Sequence, residues 1–472
     1  MSRGFLRRDS VAPGDPSQPL APVDFALPAF VALAVALGGG GTPSPLPEML
    51  LEWAALATLA AVVSLHPGDR PWPRLATGFA LALLALPALQ LIPLPPTIWR
   101  DLPGRGIEAA ALDLAGAGQN WMPWTVSPPR TLASLLAMLV PAVVLVTAAL
   151  ALPRSRIYAL FAVALMALLS AGIGAGQLAG GAHSALRFYA SSHVEDLTGF
   201  QANRNAEADV LLTGLFALAA LGVGHVFKLR RYAALALGSA AILLAAAVLL
   251  TASRAGIALL VLTLAAATGF AGYRYRHQRR SSLARKTGLG ATAVALVAAL
   301  GWVIVTYPVS GRLGERFADG SGPRPEIWRD TIYAIGQYWP WGSGIGTFVP
   351  VFLAAERLEA VDWSHPNRAH NEVLELALEA GLPGLVLLAV LLGLLAWRWA
   401  VRVRATVAPQ ERAELGFAVA TLVTLGAHSI VDYPLRSMAL AALAGVAAGF
   451  ILAPACHRGG AAPQGRVETK LP

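Results

Sequence analysis

In the stretch AHNEVLELALEAGLPG, residues 369–384, one imidazole is followed by a side-chain amide, three carboxylates and two glycines. An imidazole can take a proton from a hydroxyl near neutral pH, so His370 is a candidate general base; a hydrogen-bonded core histidine fits the same position. At about 100° per residue, Glu372, Glu375 and Glu379 fall together on one side of a helix, and Val373, Leu374, Ala377 and Gly381 share the side of the histidine. The glutamates therefore read as a solvated face, with His370 looking into the protein. His428 and Asp432 are spaced i, i+4, close enough for one helix face, and both a structural hydrogen bond and acid–base chemistry are open to them. Arg254 stands between two apolar segments, where an unpaired cation is costly and calls for a partner. Trp121 and Trp124 could stack on sugar rings or sit in an aromatic belt at a membrane interface. GSGIGTF, residues 342–348, has the glycines of a phosphate loop without its preceding strand or its Lys-Ser/Thr, and reads as a glycine turn between two helices.

The elements that must position these residues are membrane spans. Of the 472 residues, 56% are apolar and only 13% charged. Runs long enough to cross a bilayer recur along the chain, roughly twelve in all. They centre near Leu33, Ala57, Leu83, Val143, Ala164, Ala217, Ile242, Leu262, Ala295, Leu391, Leu422 and Val446. The expected fold is all-α, a polytopic integral membrane protein. Alternate short loops are basic: Arg3/Arg7/Arg8, Arg70/Arg74, Arg154/Arg156, Lys228/Arg230/Arg231, the cluster from Arg274 to Lys286, Arg398/Arg402/Arg404/Arg412, and Arg458/Arg466/Lys470. The positive-inside rule then puts both termini in the cytoplasm, and the net charge of +9 reflects topology and anionic lipid rather than nucleic acid. The amino terminus is polar and proline-rich, lacks a small-x-small cleavage pattern, and is expected to be retained. Cys456, the only cysteine, reads as a structural thiol.

Three outer loops are too long to be simple connections: about 95–130, 180–205 and 308–382. The expected division is a tail over 1–23, amino-terminal spans over 24–307 with two sizeable outer loops, a large outer loop over 308–382, carboxy-terminal spans over 383–455, and a tail over 456–472. Within the large loop, RPEIWRDTIYAIGQYWPW predicts an amphipathic helix. Pro325 lies in its first turn, Trp328, Ile332, Ile335 and Trp339 recur at helical spacing, and Arg329 and Asp330 point elsewhere.

His370, Asn371, nine residues, Gly381, two residues and Gly384 give HN-x9-GxxG, which resembles the signature of the bacterial O-antigen ligase and Wzy-type polysaccharide polymerase family. TASRAG around Arg254, the run from Arg324 through Trp328 to WGSGIGTF, GFQANRNAEAD around Arg204 and AHSIVDYPLR around Asp432 are similar to further parts of that family. The resemblance implies a glycosyltransferase of the bacterial inner membrane acting on its periplasmic face. Its donor would be a glycan on undecaprenyl diphosphate, its acceptor lipid A–core for a ligase or another carrier-linked repeat for a polymerase. It implies no nucleotide sugar, no metal or other cofactor, and other polysaccharide-assembly proteins as possible partners.

In that reaction a planar guanidinium suits the leaving diphosphate. Arg254 is the catalytic candidate for that charge and His370 for the acceptor's proton. Arg204, Arg324, Arg329, Arg368, Asn371 and Asp432 are candidates for binding the donor or glycan; Arg436 lies on the same side, and a surface or snorkelling role is open to each arginine. His365 and Asn367 precede the signature and either shape the pocket or are solvated loop residues. A transporter or flippase is the competing class, although such proteins usually carry ionisable residues at mid-membrane and repeated halves. A non-catalytic scaffold would leave the arginine–histidine set unexplained.

Overall fold

A backbone surrounded by lipid must satisfy its own N–H and C=O groups, and alanine- and leucine-rich runs do so as helices. The computed structural model describes residues 22–40, 45–66, 71–189, 193–225, 231–277, 324–361, 366–406 and 408–454. Among these, the helices in chain order are α1 (Ala26–Leu37), α2 (Pro45–Ser64), α3 (Arg74–Gln90), α4 (Pro96–Trp99), α5 (Gly106–Leu114), α6 (Pro128–Leu150), α7 (Pro153–Gly180) and α8 (Arg204–His225). They continue with α9 (Arg231–Leu250), α10 (Arg254–His277), α11 (Arg324–Tyr338), α12 (Phe348–Ala355), α13 (Glu372–Ala405), α14 (Pro409–His428) and α15 (Met438–Leu452). The strand content of the described residues is one short antiparallel pair, β1 (Pro93–Leu94) with β2 (Met122–Pro123).

The protein is therefore an all-α polytopic membrane protein, as the sequence predicts. Helices α2, α6, α7, α8, α9 and α13 are long and apolar enough to cross a membrane, while α1, α3, α15 and the first part of α10 are apolar but shorter. The predicted segment around Ala295 lies outside the described residues, and each of the other predicted segments coincides with a helix. Also outside them are Arg3, Arg7, Arg8, Arg70, Lys228, Arg230, the basic cluster beyond His277, Pro308, His365, Cys456 and the carboxy-terminal tail.

Small residues let the helices approach closely. A Cβ on Gly445 would lie 2.7 Å from the Pro141 carbonyl, and one on Gly449 would lie 2.6 Å from Ala148 Cβ, so α15 crosses α6 through a Gly-x3-Gly stripe. The polar contacts divide between the two ends of the bundle. At one end Arg156 pairs with Glu414 at 3.5 Å, Arg402 pairs with Glu411, and Ser155 bonds the Asp24 carbonyl at 2.8 Å. At the other, Ala439 N and Ala202 N donate to the carbonyls of Gly38 and Gly39 at 3.1 and 2.9 Å, and the long loops converge there. There too, Arg105 is buried and donates to the carbonyls of Pro123, Trp124 and Thr125, closing the 95–130 loop.

Candidate functional site

The HN-x9-GxxG spacing has a local physical cause. Asn371 is the N-cap of α13, its Oδ1 accepting from Val373 N and Leu374 N at 3.0 and 3.1 Å. Ten residues later Gly381 breaks the helix at φ 56°, ψ −149°, where a Cβ would collide with the Pro340 carbonyl; Leu382 N instead donates to that carbonyl at 2.8 Å. Residues 372–380 thus form a short outer segment set off from the span below. His370 precedes the cap at φ 50°, a left-handed conformation that costs a non-glycine residue about 1–3 kcal/mol and so needs support from its surroundings. That support comes from both sides. Trp328 Nε1 donates to Ala369 O at 2.9 Å, Ala369 N to Glu375 Oε2 at 3.0 Å, and Glu372 N to Ser429 O at 2.8 Å.

So held, the His370 ring lies with Nδ1 3.0 Å from Asp432 Oδ1 and packs edge-on to Tyr433 with centroids 4.9 Å apart. The Asn205 side-chain amide donates to Asp432 Oδ2. Burial pushes the Asp432 carboxyl up, but the hydrogen bond and charge of His370, the charge of His428 and the Asn205 amide outweigh it and hold the group below its ordinary value. His428 bonds Asp209 rather than Asp432: its Nδ1 is 2.8 Å from Asp209 Oδ2, and its Nε2 is 4.0 Å from Asp432 Oδ2. Helix α14 ends at His428 and the chain turns there; Asp432 N still donates to the His428 carbonyl at 2.9 Å, so the i, i+4 pair stays adjacent, but its side chains do not form the expected hydrogen bond. Asn203, Asn205, Asp209, His428, Asp432 and Tyr433 line one recess.

The glutamate face is not solvated. Glu375 and Glu379 are fully buried, because arginines reach them from other segments. Arg436 lies 3.1 Å from Glu375 and 2.8 Å from Glu379, and Arg368 lies 3.0 Å from Glu375. Glu379 Oε1 also accepts from Phe348 N at 3.1 Å, while Glu372 accepts from Ser429 Oγ and Leu435 N, each at 2.7 Å. Helical spacing predicts which residues share a face, not whether that face meets water or a countercharge. Val373 is correspondingly exposed, opposite to the expectation for the histidine's side.

The glycine turn is as predicted. Gly342, Gly344 and Gly346 have φ of 82°, 115° and 88° between α11 and α12. The turn docks on α3, where Gln90 Oε1 accepts from Ile345 N at 2.8 Å, and on α6, where Thr131 Oγ1 donates to Ile345 O at 2.8 Å. The amphipathic helix also forms, as α11, with Ile327, Asp330, Thr331 and Ala334 as its buried side and Ile332, Tyr333 and Trp339 exposed. Asp330 does not point to solvent; it is buried against Arg357 at 2.6 Å.

His370, Asn371, Arg368 and Asp432 are thus brought together. Asn371 caps the helix, and Arg368 is engaged by Glu375, so their contacts within the chain are structural. Arg204 pairs with Asp196 at 2.7 Å. Arg324 opens α11 within electrostatic reach of His428, and Arg329 is exposed on the same helix. Arg254 opens α10 two residues before Gly256, whose missing side chain lets the helix pack on Ala208, next to Asp209. Sequence reasoning missed Asp209, Asn203 and Tyr433; an acidic residue inside the apolar run of α8, four residues after Asn205, was the available signal for the first. Among the described residues no group of three or more His, Cys, Asp or Glu is arranged to hold a metal ion.

Fold and site together define a helical membrane protein with a histidine–carboxylate centre where its long loops converge. Residues 239–389 match the family model described as O-Antigen ligase, Wzy_C, a stretch that contains Arg254, Arg324, Arg329, Arg368, His370 and Asn371. Over that stretch the chain is similar to the O-antigen ligase and Wzy-type family, which supports an O-antigen ligase or polymerase type of function in general form. The comparison with curated proteins gave no match.

Proposed function

We propose that this protein transfers a glycan from undecaprenyl diphosphate to an acceptor sugar at the periplasmic face of the bacterial inner membrane, with O-antigen ligation to lipid A–core as the first reading and polymerisation of carrier-linked repeats as the second. The observation that carries this reading is the His370–Asp432 pair. With Nδ1 engaged by the carboxylate, the imidazole keeps its N–H on that side and its Nε2 lone pair for the acceptor hydroxyl. As the hydroxyl oxygen attacks the anomeric carbon, its proton passes to His370 and the bond to the lipid diphosphate breaks; attack opposite the leaving group inverts that carbon. The developing diphosphate charge needs cations. We assign this role first to Arg254, with Arg324 and Arg329 as further candidates, while Arg368, Arg436 and Arg204 hold Glu375, Glu379 and Asp196.

Deletion of the gene, followed by gel analysis of lipopolysaccharide and secreted polysaccharide with carrier-linked glycan measured alongside, tests the reading. Loss of long chains from lipid A–core with accumulation of polymerised carrier-linked glycan is the ligase outcome. Accumulation of single carrier-linked repeats is the polymerase outcome. Unchanged glycan pools would remove the enzyme reading and bring forward a transporter.

A further inference from the structure

Asp209 and His428 form a second imidazole–carboxylate pair that the transfer step above does not use. The His428 side chain is 1% exposed and that of Asp209 0%. Burying two ionisable side chains where apolar ones would pack as well is costly, which invites a functional reason. Their surroundings supply one. Asn205 and Asp209 lie four residues apart on α8, so one helix face holds Asp432 through an amide and His428 through a carboxylate. His428 Nε2 makes no hydrogen bond among the described residues and lies 4.0 Å from Asp432 Oδ2, the oxygen not used by His370. The charged and titratable groups around His428 are Asp209 from α8, Asp432 from the turn after α14 and Arg324 from the start of α11, with His370 beyond Asp432.

We propose that His428 and Asp209 are a positioning pair for the His370–Asp432 centre. Asp209 fixes the His428 ring so that Nε2 faces Asp432 from the side away from His370. The imidazole stabilises the ionised carboxylate there, and the carboxylate in turn holds His370 with its Nδ1 proton inward and Nε2 available to the hydroxyl. The inference rests on the reading of His370 as general base. It extends the centre from two residues to four, drawn from α8, the loop before α13, the end of α14 and the turn that follows.

The test is transfer by the full-length protein in lipid nanodiscs, with carrier-linked glycan and lipid A–core extracted from the host, measured against pH for wild type, Asp209→Asn, His428→Gln and His370→Ala. For both dyad variants kcat falls roughly ten- to a hundredfold with KM little changed, a smaller loss than the roughly 10²–10⁴-fold a general base contributes. The acid limb of the kcat profile moves to higher pH in His428→Gln, which removes a cation facing Asp432 and leaves the Asp209 carboxylate, and does not move to higher pH in Asp209→Asn, which removes an anion. Wild-type kcat in the two variants and an unmoved limb in His428→Gln, with His370→Ala inactive, would overturn the positioning role alone. Full activity of His370→Ala would instead remove the base reading on which it rests. If neither dyad variant folds while Asp432→Asn does, as read by thermal unfolding, the pair is a structural one and the proposal fails.

Discussion

His370 and Asp432 stand 62 residues apart in the chain and 3.0 Å apart in space, Nδ1 to Oδ1. The first lies just before the cap of α13 and the second just after the end of α14, so this contact closes the outer end of a helical hairpin whose two limbs run through the bundle. A geometry that joins two helix ends is maintained by the packing of both.

Replacement of either partner should separate chemistry from folding. His370→Ala and Asp432→Asn are expected to insert normally and to lose transfer by roughly 10²–10⁴-fold, the usual contribution of a positioned general base. Single-turnover transfer with purified protein, alongside thermal unfolding in detergent, reads both quantities. Near-wild-type transfer by His370→Ala would rule out its role as the base.

Asn371 gives a contrasting expectation. Its side chain accepts from two backbone N–H groups of the first turn of α13, so Asn371→Ala should lower stability by about 1 kcal/mol and Asn371→Asp by much less. A loss of transfer in Asn371→Asp with unchanged Tm would reveal a further contact with substrate.

Two glycines of α13 predict opposite outcomes. Gly381→Ala meets both a positive φ and the Pro340 carbonyl, and should destabilise by about 2–5 kcal/mol when the left-handed and overpacking costs are combined. At Gly393 a Cβ meets nothing within 4 Å, and alanine should be neutral or stabilising by up to about 1 kcal/mol. Thermal unfolding of the two variants side by side checks the contrast.

These examples mark how far the sequence could be read. Apolar run length located the helices because a bilayer leaves the backbone no other means of satisfying itself, and the same argument made the fold class legible. The glycine turn at 342–346 and the helix from Arg324 were legible from local chemistry. The solvation of the glutamates was not, because Arg436, which buries Glu375 and Glu379, lies 57 residues from Glu379 in the chain. Asp209 escaped notice for a related reason. Its partner is His428, and periodicity within α8 says nothing about which distant residue faces it.

Acid should weaken the fold through Asp432. Its carboxyl is held below the ordinary 3.8 by His370, His428 and Asn205, so its contribution to stability is present above the unfolded value and is lost as pH falls through the folded one. Wild type should therefore lose Tm relative to Asp432→Asn as pH is lowered from about 5 through the carboxylate range. Parallel Tm curves for the two proteins would contradict the assignment.

Arg436 should be needed for folding rather than for donor binding. Arg436→Met leaves Glu375 and Glu379 buried with their shared countercharge removed, a loss of about 3–5 kcal/mol by analogy with other broken buried pairs. Adding Glu379→Gln should recover part of that loss in the same unfolding measurement. A stable Arg436→Met protein that binds donor poorly would return this arginine to the substrate.

The break at Gly381 also isolates the His370 end of α13 mechanically. Below it, the span can tilt as bilayers thicken or thin. Above it, residues 372–380 are fastened sideways to the bundle: Gln90 and Gly344 both bond the Glu379 carbonyl, at 3.0 and 2.8 Å, and Ser429 bonds Glu372. The interrupted hydrogen-bond ladder works as a coupling with play in it, so that the depth and aim of His370 are set by its neighbours in the outer layer and not by the angle at which the rest of its helix crosses the lipid.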